Sequence, residues 1–179
     1  VCAEDEEPHR CSLGKIPTLR PAFKKDGTVT AANASKISDG AAATVLMTAA
    51  DATERGLEPL ATIIDHATFA QEPEWFTTAP STAVAMVVEK AGWSMEDVDL
   101  FEINEAFASV TMAAMADNGL SHDKVNVYGG ACALGHPIGA SGTRILVTLI
   151  HALRKRGLKR GVASLCLGGG EAVALAIEV

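Results

Sequence analysis

The chain has 179 residues with a formal net charge of −7, and 48% of its residues are hydrophobic. This hydrophobic fraction supports a sizeable core and excludes wholesale disorder, and the negative charge argues against nucleic acid as the main partner, since phosphate binding requires a basic face. No apolar run reaches the roughly 18 residues of a membrane-spanning helix, and no signal peptide opens the chain, so we expect no membrane partner and a cytoplasmic location.

The first half of the chain joins an irregular segment to alternating strands and helices. Residues 1–27 are polar and contain prolines at positions 8, 17 and 21, which indicates a surface loop region. Gly56 and Gly92 each follow an apolar run with helical spacing and are predicted helix stops. The elements predicted here are, in order, a strand over 28–31, a helix over 38–55, a strand over 60–67 and a helix over 80–91.

From residue 98 onward the alternation is regular, with apolar strands followed by helices that end at glycine. This order predicts an α/β layered sheet. The predicted elements are a strand over 99–103, a helix over 105–118, a strand over 124–128, a helix over 141–156 and strands over 162–167 and 172–179.

Three loops follow directly on predicted strands and carry polar residues suited to chemistry. They span residues 104–107, 129–142 and 166–170. In layered α/β folds, reactive groups collect beyond the ends of strands, where the connections diverge. Polar groups from three strand ends are therefore expected to converge on one pocket.

Asn104 and His136 are the candidate side chains of the first two loops. Asn104 fits either a helix cap for residues 105–118 or an amide that orients a water molecule or polarises an oxygen. His136 fits either an ordinary loop position or general acid–base catalysis, since imidazole titrates near neutral pH. Glycines and other small residues surround it and would let a ligand approach the backbone closely. Their spacing matches neither a dinucleotide-binding loop nor a P-loop.

Cys166 is the candidate of the third loop. It ends a predicted apolar strand, where a cysteine is commonly inert core. The glycines at 168–170 form a turn whose amides can lower the pKa of a thiol or bind an oxyanion. The other cysteines, Cys2, Cys11 and Cys132, have no such setting. No spacing is that of a zinc site or a CxxC pair, so no metal is expected.

At these loops the sequence resembles the thiolase family, specifically its C-terminal half and the branch that forms acetoacetyl-CoA. The resemblance covers most of the chain from residue 19 onward, with three separate motifs in family order. It implies a thiolase-like layered αβαβα fold of the α/β class, of which this chain is the C-terminal part. The matching stretches are LRPAFKKDGTVTAANAS (19–35), SDGAAA (38–43), EWFTTAP (74–80), FEINEAFA (101–108), GGACALGHPIGASG (129–142) and CLGGGEA (166–172).

The resemblance implies roles for five residues. His136 activates a nucleophilic cysteine that takes the acyl group from an acyl-CoA, and Cys166 removes and returns a proton at the α-carbon of acetyl-CoA. Asn104 holds a water molecule that, with His136, stabilises the enolate oxygen. The backbone N–H of Gly168 contributes to a second oxyanion hole, and the Ser35 side chain contacts the pantetheine of CoA. A thioester α-proton is a weak acid, so its removal needs donors aimed at the developing enolate.

The resemblance also implies a partner, because the family's nucleophilic cysteine belongs to the N-terminal half and Cys2 and Cys11 do not lie in its motif. We therefore expect the N-terminal half as a separate chain or as the other product of a cleavage. By the same resemblance, residues 1–27 are the remnant of a loop domain. Residues 28–58 are the last strand and helix of the N-terminal domain, and residues 59–179 are the C-terminal domain.

The implied activity is Claisen condensation of two acetyl-CoA molecules to acetoacetyl-CoA and CoA, or the reverse thiolysis. Coenzyme A thioesters are substrates, and no bound cofactor is expected. The alternative enzyme is a degradative thiolase that cleaves longer 3-ketoacyl-CoA, although the EWFTTAP stretch favours the short-chain branch. The alternative from another class is a non-catalytic CoA-binding or assembly subunit. The assembled enzyme is expected to be a homo-oligomer.

Overall fold

The computed structural model describes residues 3–4 and 6–179, and within these residues it contains a four-stranded mixed sheet. The strand order is β1-β4-β3-β2, in which β2 and β3 are parallel while β4 is antiparallel to both of its neighbours. The α/β class and the four corresponding strand predictions are confirmed, with shifts at the strand ends. The strands are β1 (Thr62–Ala70), β2 (Leu100–Ile103), β3 (Arg160–Cys166) and β4 (Glu171–Glu178).

The helices of the described residues connect these strands and cover the sheet. In the part of the chain that the structure describes, no helix is both long enough and apolar enough to cross a membrane. The α-helices are α1 (Glu6–Arg10), α2 (Ala49–Glu54), α3 (Ala79–Lys90), α4 (Ala108–Asn118), α5 (Ala131–Leu134) and α6 (Ser141–Arg156). Short 3₁₀ helices lie at Leu13–Thr18, Pro73–Thr78 and His122–Lys124.

Helix α6 has the bounds that the sequence predicts. Its apolar side chains at Ile145, Leu149 and Leu153 repeat every four residues and are buried against the sheet. Gly157 ends the helix in the left-handed conformation, with a φ of +66°, and three basic residues occupy the last turn. Periodicity, stop residue and charge therefore agree in this segment, which is why its prediction succeeds.

Two hydrophobic clusters lie on opposite faces of the sheet. The larger one packs α3 and α4 against the sheet and includes Val84, Phe101 and Cys166. The smaller one packs α6 against the other face and includes Leu100 and Leu149. Alternate residues of each strand point to opposite clusters, as the pleat of a sheet requires. The described residues thus form three layers, helix, sheet and helix.

The strand predicted over 28–31 and most of the helix predicted over 38–55 are wrong. Residues 28–48 have no regular secondary structure apart from single bridges, and only α2 remains of the helix. Val45 and Leu46, which belong to the apolar run of that predicted helix, are 85% and 70% exposed. A helix draws most of its stability from burying its apolar face. Within the described residues, Val45 and Leu46 are not packed against a core.

The strand predicted over 124–128 is also wrong, and the reason is Asn126. Val125 pairs with Phe101 in a single bridge, and Asn126 then turns the chain with a φ of +48°. The Asn126 amide still donates to the Phe101 carbonyl at 2.9 Å, and its side chain continues the pairing beyond that point. Its Oδ1 accepts a hydrogen bond from the Ile103 amide at 2.8 Å, and its Nδ2 donates to the Ile103 carbonyl at 2.8 Å. A side chain that competes with the ladder in this way ends a strand.

Candidate active site

A segment of residues 33–37 ties together two of the loops that the sequence singles out. The Ser35 amide donates to the Ala106 carbonyl at 3.0 Å, and the His136 amide donates to the Lys36 carbonyl at 2.8 Å. The loop after β2 and the loop before α6 are therefore held side by side by one extended piece of chain. Sequence analysis did not foresee this connection, because backbone pairing between distant loops leaves no periodic signal.

Gly135 is required where the chain that continues from this segment passes close to it at Ser38. Its φ is +94°, and a Cβ at this position would collide with the Ser38 hydroxyl. Only glycine combines this conformation with this proximity at low cost. The fold therefore explains why glycine occupies position 135, independently of any ligand.

Asn104 lies directly after β2 with its side chain facing the His136 ring. The Asn104 Nδ2 is 3.4 Å from the His136 Nε2, and Asn104 is only 1% exposed. The helix-cap interpretation of Asn104 is wrong, because α4 begins later, at Ala108, with Phe107 as its N-cap residue. Within the described residues the Asn104 Oδ1 accepts no hydrogen bond. A buried amide oxygen without a partner is costly, and such groups call for an explanation.

The other ring nitrogen of His136 contacts the start of α6. Its Nδ1 is 2.6 Å from the Ser141 Oγ. Burial lowers the pKa of His136, and the positive charge of Arg144 lowers it further. The imidazole is therefore neutral near pH 7, and a neutral imidazole carries one ring nitrogen that can accept a proton.

Cys166 ends β3 at the same end of the sheet as Asn104. The pairing of β2 with β3 is parallel, and the Asn104 amide donates to the Ser164 carbonyl at 2.9 Å. The Cys166 side chain is 8% exposed and packs into the cluster beneath α3 and α4. Burial raises the pKa of its thiol and outweighs a backbone hydrogen bond that lowers it. This differs from the expectation that nearby amides would lower the pKa of this thiol.

The glycine turn after Cys166 is exposed at Gly168 and packed at Gly170. Among the described residues, the Gly168 amide donates no hydrogen bond, so it is available to an acceptor outside them. Gly170 has a φ of +103°, and a Cβ there would collide with the Gln71 carbonyl oxygen. The Gln71 amide also donates to the Gly170 carbonyl at 3.1 Å. This turn is therefore fixed against residues 71–73, which lead into the EWFTTAP stretch (74–80).

A buried ion pair lies next to this site and was missed by the sequence analysis. Glu102 is 2% exposed and lies on β2, two residues before Asn104. The Arg144 Nη1, from α6, is 3.7 Å from the Glu102 Oε2. Burial raises the pKa of Glu102 to about 7, the Glu105 carboxylate adds to this rise, and Arg144 opposes it. A carboxyl within an otherwise apolar strand was the available signal for this pair.

Among the described residues, the structure shows no activated thiol at the remaining cysteines. Burial and the nearby Glu105 carboxylate raise the pKa of Cys132 to about 11, so it stays protonated at neutral pH. Cys11 is exposed, and Cys2 lies outside the described residues. Among the residues that the structure describes, no group of three or more His, Cys, Asp or Glu side chains is arranged to hold a metal ion.

Comparison with known families gives two adjacent matches. Residues 57–179 match the family described as "Thiolase, C-terminal domain", and residues 1–50 match "Thiolase, N-terminal domain". The acetyl-CoA acetyltransferase of Chromobacterium violaceum is 55% identical over 170 residues, which are 95% of this chain and 43% of that protein. The cytosolic acetyl-CoA acetyltransferase of Mus musculus is 53% identical, over 97% of this chain and 45% of that protein.

Comparison with solved structures gives the same family. The Bacillus anthracis acetyl-CoA acetyltransferase superposes with a TM-score of 0.93 at 49% identity, over 98% of this chain and 45% of that chain. The human mitochondrial 3-ketoacyl-CoA thiolase superposes with a TM-score of 0.87 at 39% identity, over 94% and 43% respectively. The chain thus spans somewhat less than half the length of the relatives that it matches.

Proposed function

Because the chain belongs to the thiolase family, we propose that it carries the proton-transfer half of an acetyl-CoA C-acetyltransferase site. The reaction is the condensation of two acetyl-CoA molecules to acetoacetyl-CoA and CoA, or the reverse thiolysis. The observation that carries the proposal is the 3.4 Å approach of Asn104 to His136, at the sheet end where Cys166 also lies.

His136 and Asn104 act on the substrate thioester in this proposal. The neutral imidazole takes the proton of a nucleophilic cysteine, whose sulfur then receives the acyl group. In the condensation step, the thioester oxygen of the second acetyl-CoA gains negative charge as the α-proton leaves. The imidazolium, which retains the proton taken from the nucleophilic cysteine, and a water molecule held by the Asn104 amide stabilise that charge. The Asn104 Oδ1, which has no partner within the described residues, supports a water position beside it.

Cys166 is the base in this proposal, and the Gly168 amide is a donor for the second oxyanion hole. The raised pKa of Cys166 means that its thiol is protonated before turnover. Acyl transfer releases CoA as a thiolate, which takes the Cys166 proton and leaves the Cys166 thiolate behind. That thiolate then removes the α-proton of acetyl-CoA. The exposed Gly168 amide, which has no acceptor among the described residues, supports its role as a donor.

Ser35 is proposed to contact the pantetheine of CoA. It lies within the 33–37 segment, half-buried between the loops that carry Asn104 and His136. Among the described residues its hydroxyl makes no hydrogen bond, whereas its amide is fixed to Ala106. A hydroxyl fixed in place but unpaired can hydrogen-bond an amide-containing ligand such as pantetheine.

The nucleophilic cysteine is proposed to come from the N-terminal half of the thiolase, on the same polypeptide or on a separate chain. Cys132 is a poor candidate because its thiol is held protonated. Exposed apolar residues favour coverage by that half: Ile37 is 101% exposed and Val45 is 85% exposed. An apolar groove of about 330 Å³ between α6 and the sheet, lined in part by Leu146 and Leu175, offers a further contact surface.

The short-chain acetyltransferase is favoured over a degradative thiolase. The acetyl-CoA acetyltransferase structure is more similar to this chain than the 3-ketoacyl-CoA thiolase structure is, both in identity and in TM-score. A cytoplasmic location is proposed on the strength of the Mus musculus relative, which is named as cytosolic. A homo-oligomer of the assembled enzyme is proposed from the family resemblance.

The test is to purify the protein that contains these residues from its own cells and to identify every chain present by mass spectrometry. Its thiolysis of acetoacetyl-CoA should exceed its thiolysis of 3-ketoacyl-CoA with eight or more acyl carbons. Preference for the longer substrate would favour the degradative thiolase. A preparation that binds CoA but lacks a reactive cysteine and both activities would favour the non-catalytic subunit and overturn the proposal.

A further inference from the structure

Ser141 occupies the first position of α6 and contacts the catalytic imidazole from behind. It is fully buried, and its Oγ lies 2.6 Å from the His136 Nδ1 and 3.1 Å from the Pro137 carbonyl oxygen. We propose that Ser141 is a positioning residue that holds neutral His136 as the Nδ1–H tautomer. In that tautomer the Nε2, which faces Asn104, is free to accept a proton.

The hydrogen-bond network decides the tautomer. The Ser141 hydroxyl carries one hydrogen, which it donates to the Pro137 carbonyl, so its oxygen accepts from the His136 Nδ1–H. The Asn104 amide donates from Nδ2 toward Nε2, which must then lack a hydrogen. The opposite tautomer would point the Nε2–H at an amide N–H. In the Nδ1–H assignment the Ser141 hydroxyl hydrogen, the ring Nδ1–H and one hydrogen of the Asn104 Nδ2 each point at an acceptor.

Ser141 is well placed to keep the ring in one orientation. Its amide donates to the Pro137 carbonyl at 2.9 Å, so backbone and side chain are both anchored at the start of a sixteen-residue helix. A hydroxyl fixed in this way restricts rotation of the imidazole, because the ring loses its hydrogen bond when it turns. The second nitrogen of a functional histidine is commonly fixed by such a partner, which sets the tautomer.

The consequence for catalysis rests on the proposed function. There, the Nε2 must accept the proton of the nucleophilic thiol, and only the Nδ1–H tautomer has that nitrogen free when the ring is neutral. Ser141 also stabilises the imidazolium that forms, because Nδ1–H donates more strongly to the hydroxyl when the ring is charged.

The test is ¹⁵N NMR of the histidine rings in the complete thiolase that contains or assembles with this chain. His136 is assigned by the signal that disappears in a His136→Asn variant. We expect neutral His136 to be the Nδ1–H form, and Ser141→Ala to shift it toward the Nε2–H form. Thr148→Val is the matched control, since Thr148 on the same helix also donates its hydroxyl to a carbonyl four residues back, at 3.1 Å. It should leave the His136 signals unchanged.

Activity gives a second readout. Ser141→Ala should lower kcat about 10- to 100-fold with little change in KM, since one hydrogen bond to the reacting imidazole is lost. An Nε2–H form in the unmodified protein would overturn the proposal even if Ser141→Ala fails to fold. An unchanged tautomer in Ser141→Ala would also overturn it. If the expected tautomer shift occurs in a protein without thiolase activity, the proposed function fails while the role of Ser141 stands.

Discussion

Replacement of Glu102 by glutamine removes a carboxyl that the fold buries beside the candidate active site. Glu102 is 2% exposed, and its nearest cation, the Arg144 guanidinium, lies 3.7 Å away. The Glu102 Oε1 and two nitrogens of Arg144 have no hydrogen-bond partner among the described residues. The pair therefore compensates only part of the cost of burying the carboxylate. Glutamine has nearly the same shape and cannot ionise.

The magnitude follows from the pKa of this carboxyl, which rises from 4.5 to about 7 on folding. A difference of about 2.5 pH units corresponds to about 3 kcal/mol. The folded state binds the proton more tightly, so the free energy of unfolding is highest when both states are protonated. It falls by about 3 kcal/mol as the pH rises from about 4.5 to about 7, and this contribution is then constant.

The assay is urea unfolding followed by tryptophan fluorescence at several pH values between 4.5 and 8, with Glu102→Gln beside the unmodified protein. The free energy of unfolding of Glu102→Gln minus that of the unmodified protein should increase by about 3 kcal/mol as the pH rises. Glu102→Gln also leaves Arg144 without a counter-charge. The resulting loss of stability is the same at every pH, so it does not affect the change of this difference with pH. Glu89→Gln, at an exposed position on α3, is the matched control for charge loss. Parallel pH curves for the unmodified protein and Glu102→Gln would refute the reasoning.

Two further predictions concern the site and the core. Asn104→Ala should lower kcat/KM for condensation about 10²- to 10³-fold, as the loss of an oxyanion donor does. The control Asn118→Ala removes side-chain hydrogen bonds to the Ser81 and Ala114 carbonyls and should not lower it. Equal kcat/KM values for these two variants would contradict the role of Asn104. Gly161→Ala places a Cβ 2.8 to 3.0 Å from Leu149 and Leu153 and should lower the free energy of unfolding in urea by about 1–3 kcal/mol. The control Gly14→Ala, whose Cβ would have nothing within 4 Å, should lower it little. Equal free energies of unfolding for these two variants would contradict this packing.

The sequence predicted those parts of the fold in which several local signals agree. Helix α6 combines an apolar repeat, a basic last turn and Gly157, and its bounds are confirmed. Strands β3 and β4 are predominantly apolar and are confirmed with small shifts. The helix predicted over 38–55 failed in its first part, where Val45 and Leu46 stay exposed within the described residues instead of packing on a core. Residues 124–128 failed because the Asn126 side chain takes over the pairing with Ile103.

Part of the candidate site could be predicted, because loops at neighbouring strand ends meet at one end of a sheet. This reasoning placed Asn104 near His136, which is confirmed by their 3.4 Å approach. It did not reveal Ser141, since a hydroxyl at a helix start resembles an ordinary cap in sequence. It also missed the Glu102–Arg144 pair, whose members are 42 residues apart and meet only through the packing of α6 on β2.

The most direct test of the central claim separates the two chemical steps in the complete enzyme. Acyl transfer is followed by exchange of labelled CoA into acetyl-CoA, and proton abstraction by deuterium uptake from solvent into the acetyl methyl group. Cys166→Ala should abolish deuterium uptake and condensation yet retain detectable CoA exchange, while His136→Ala should suppress both. Cys132→Ala, which removes a protonated thiol outside the proposed chemistry, is the control and should retain both. Equal loss of both steps in Cys166→Ala would contradict the assignment of Cys166 as the base.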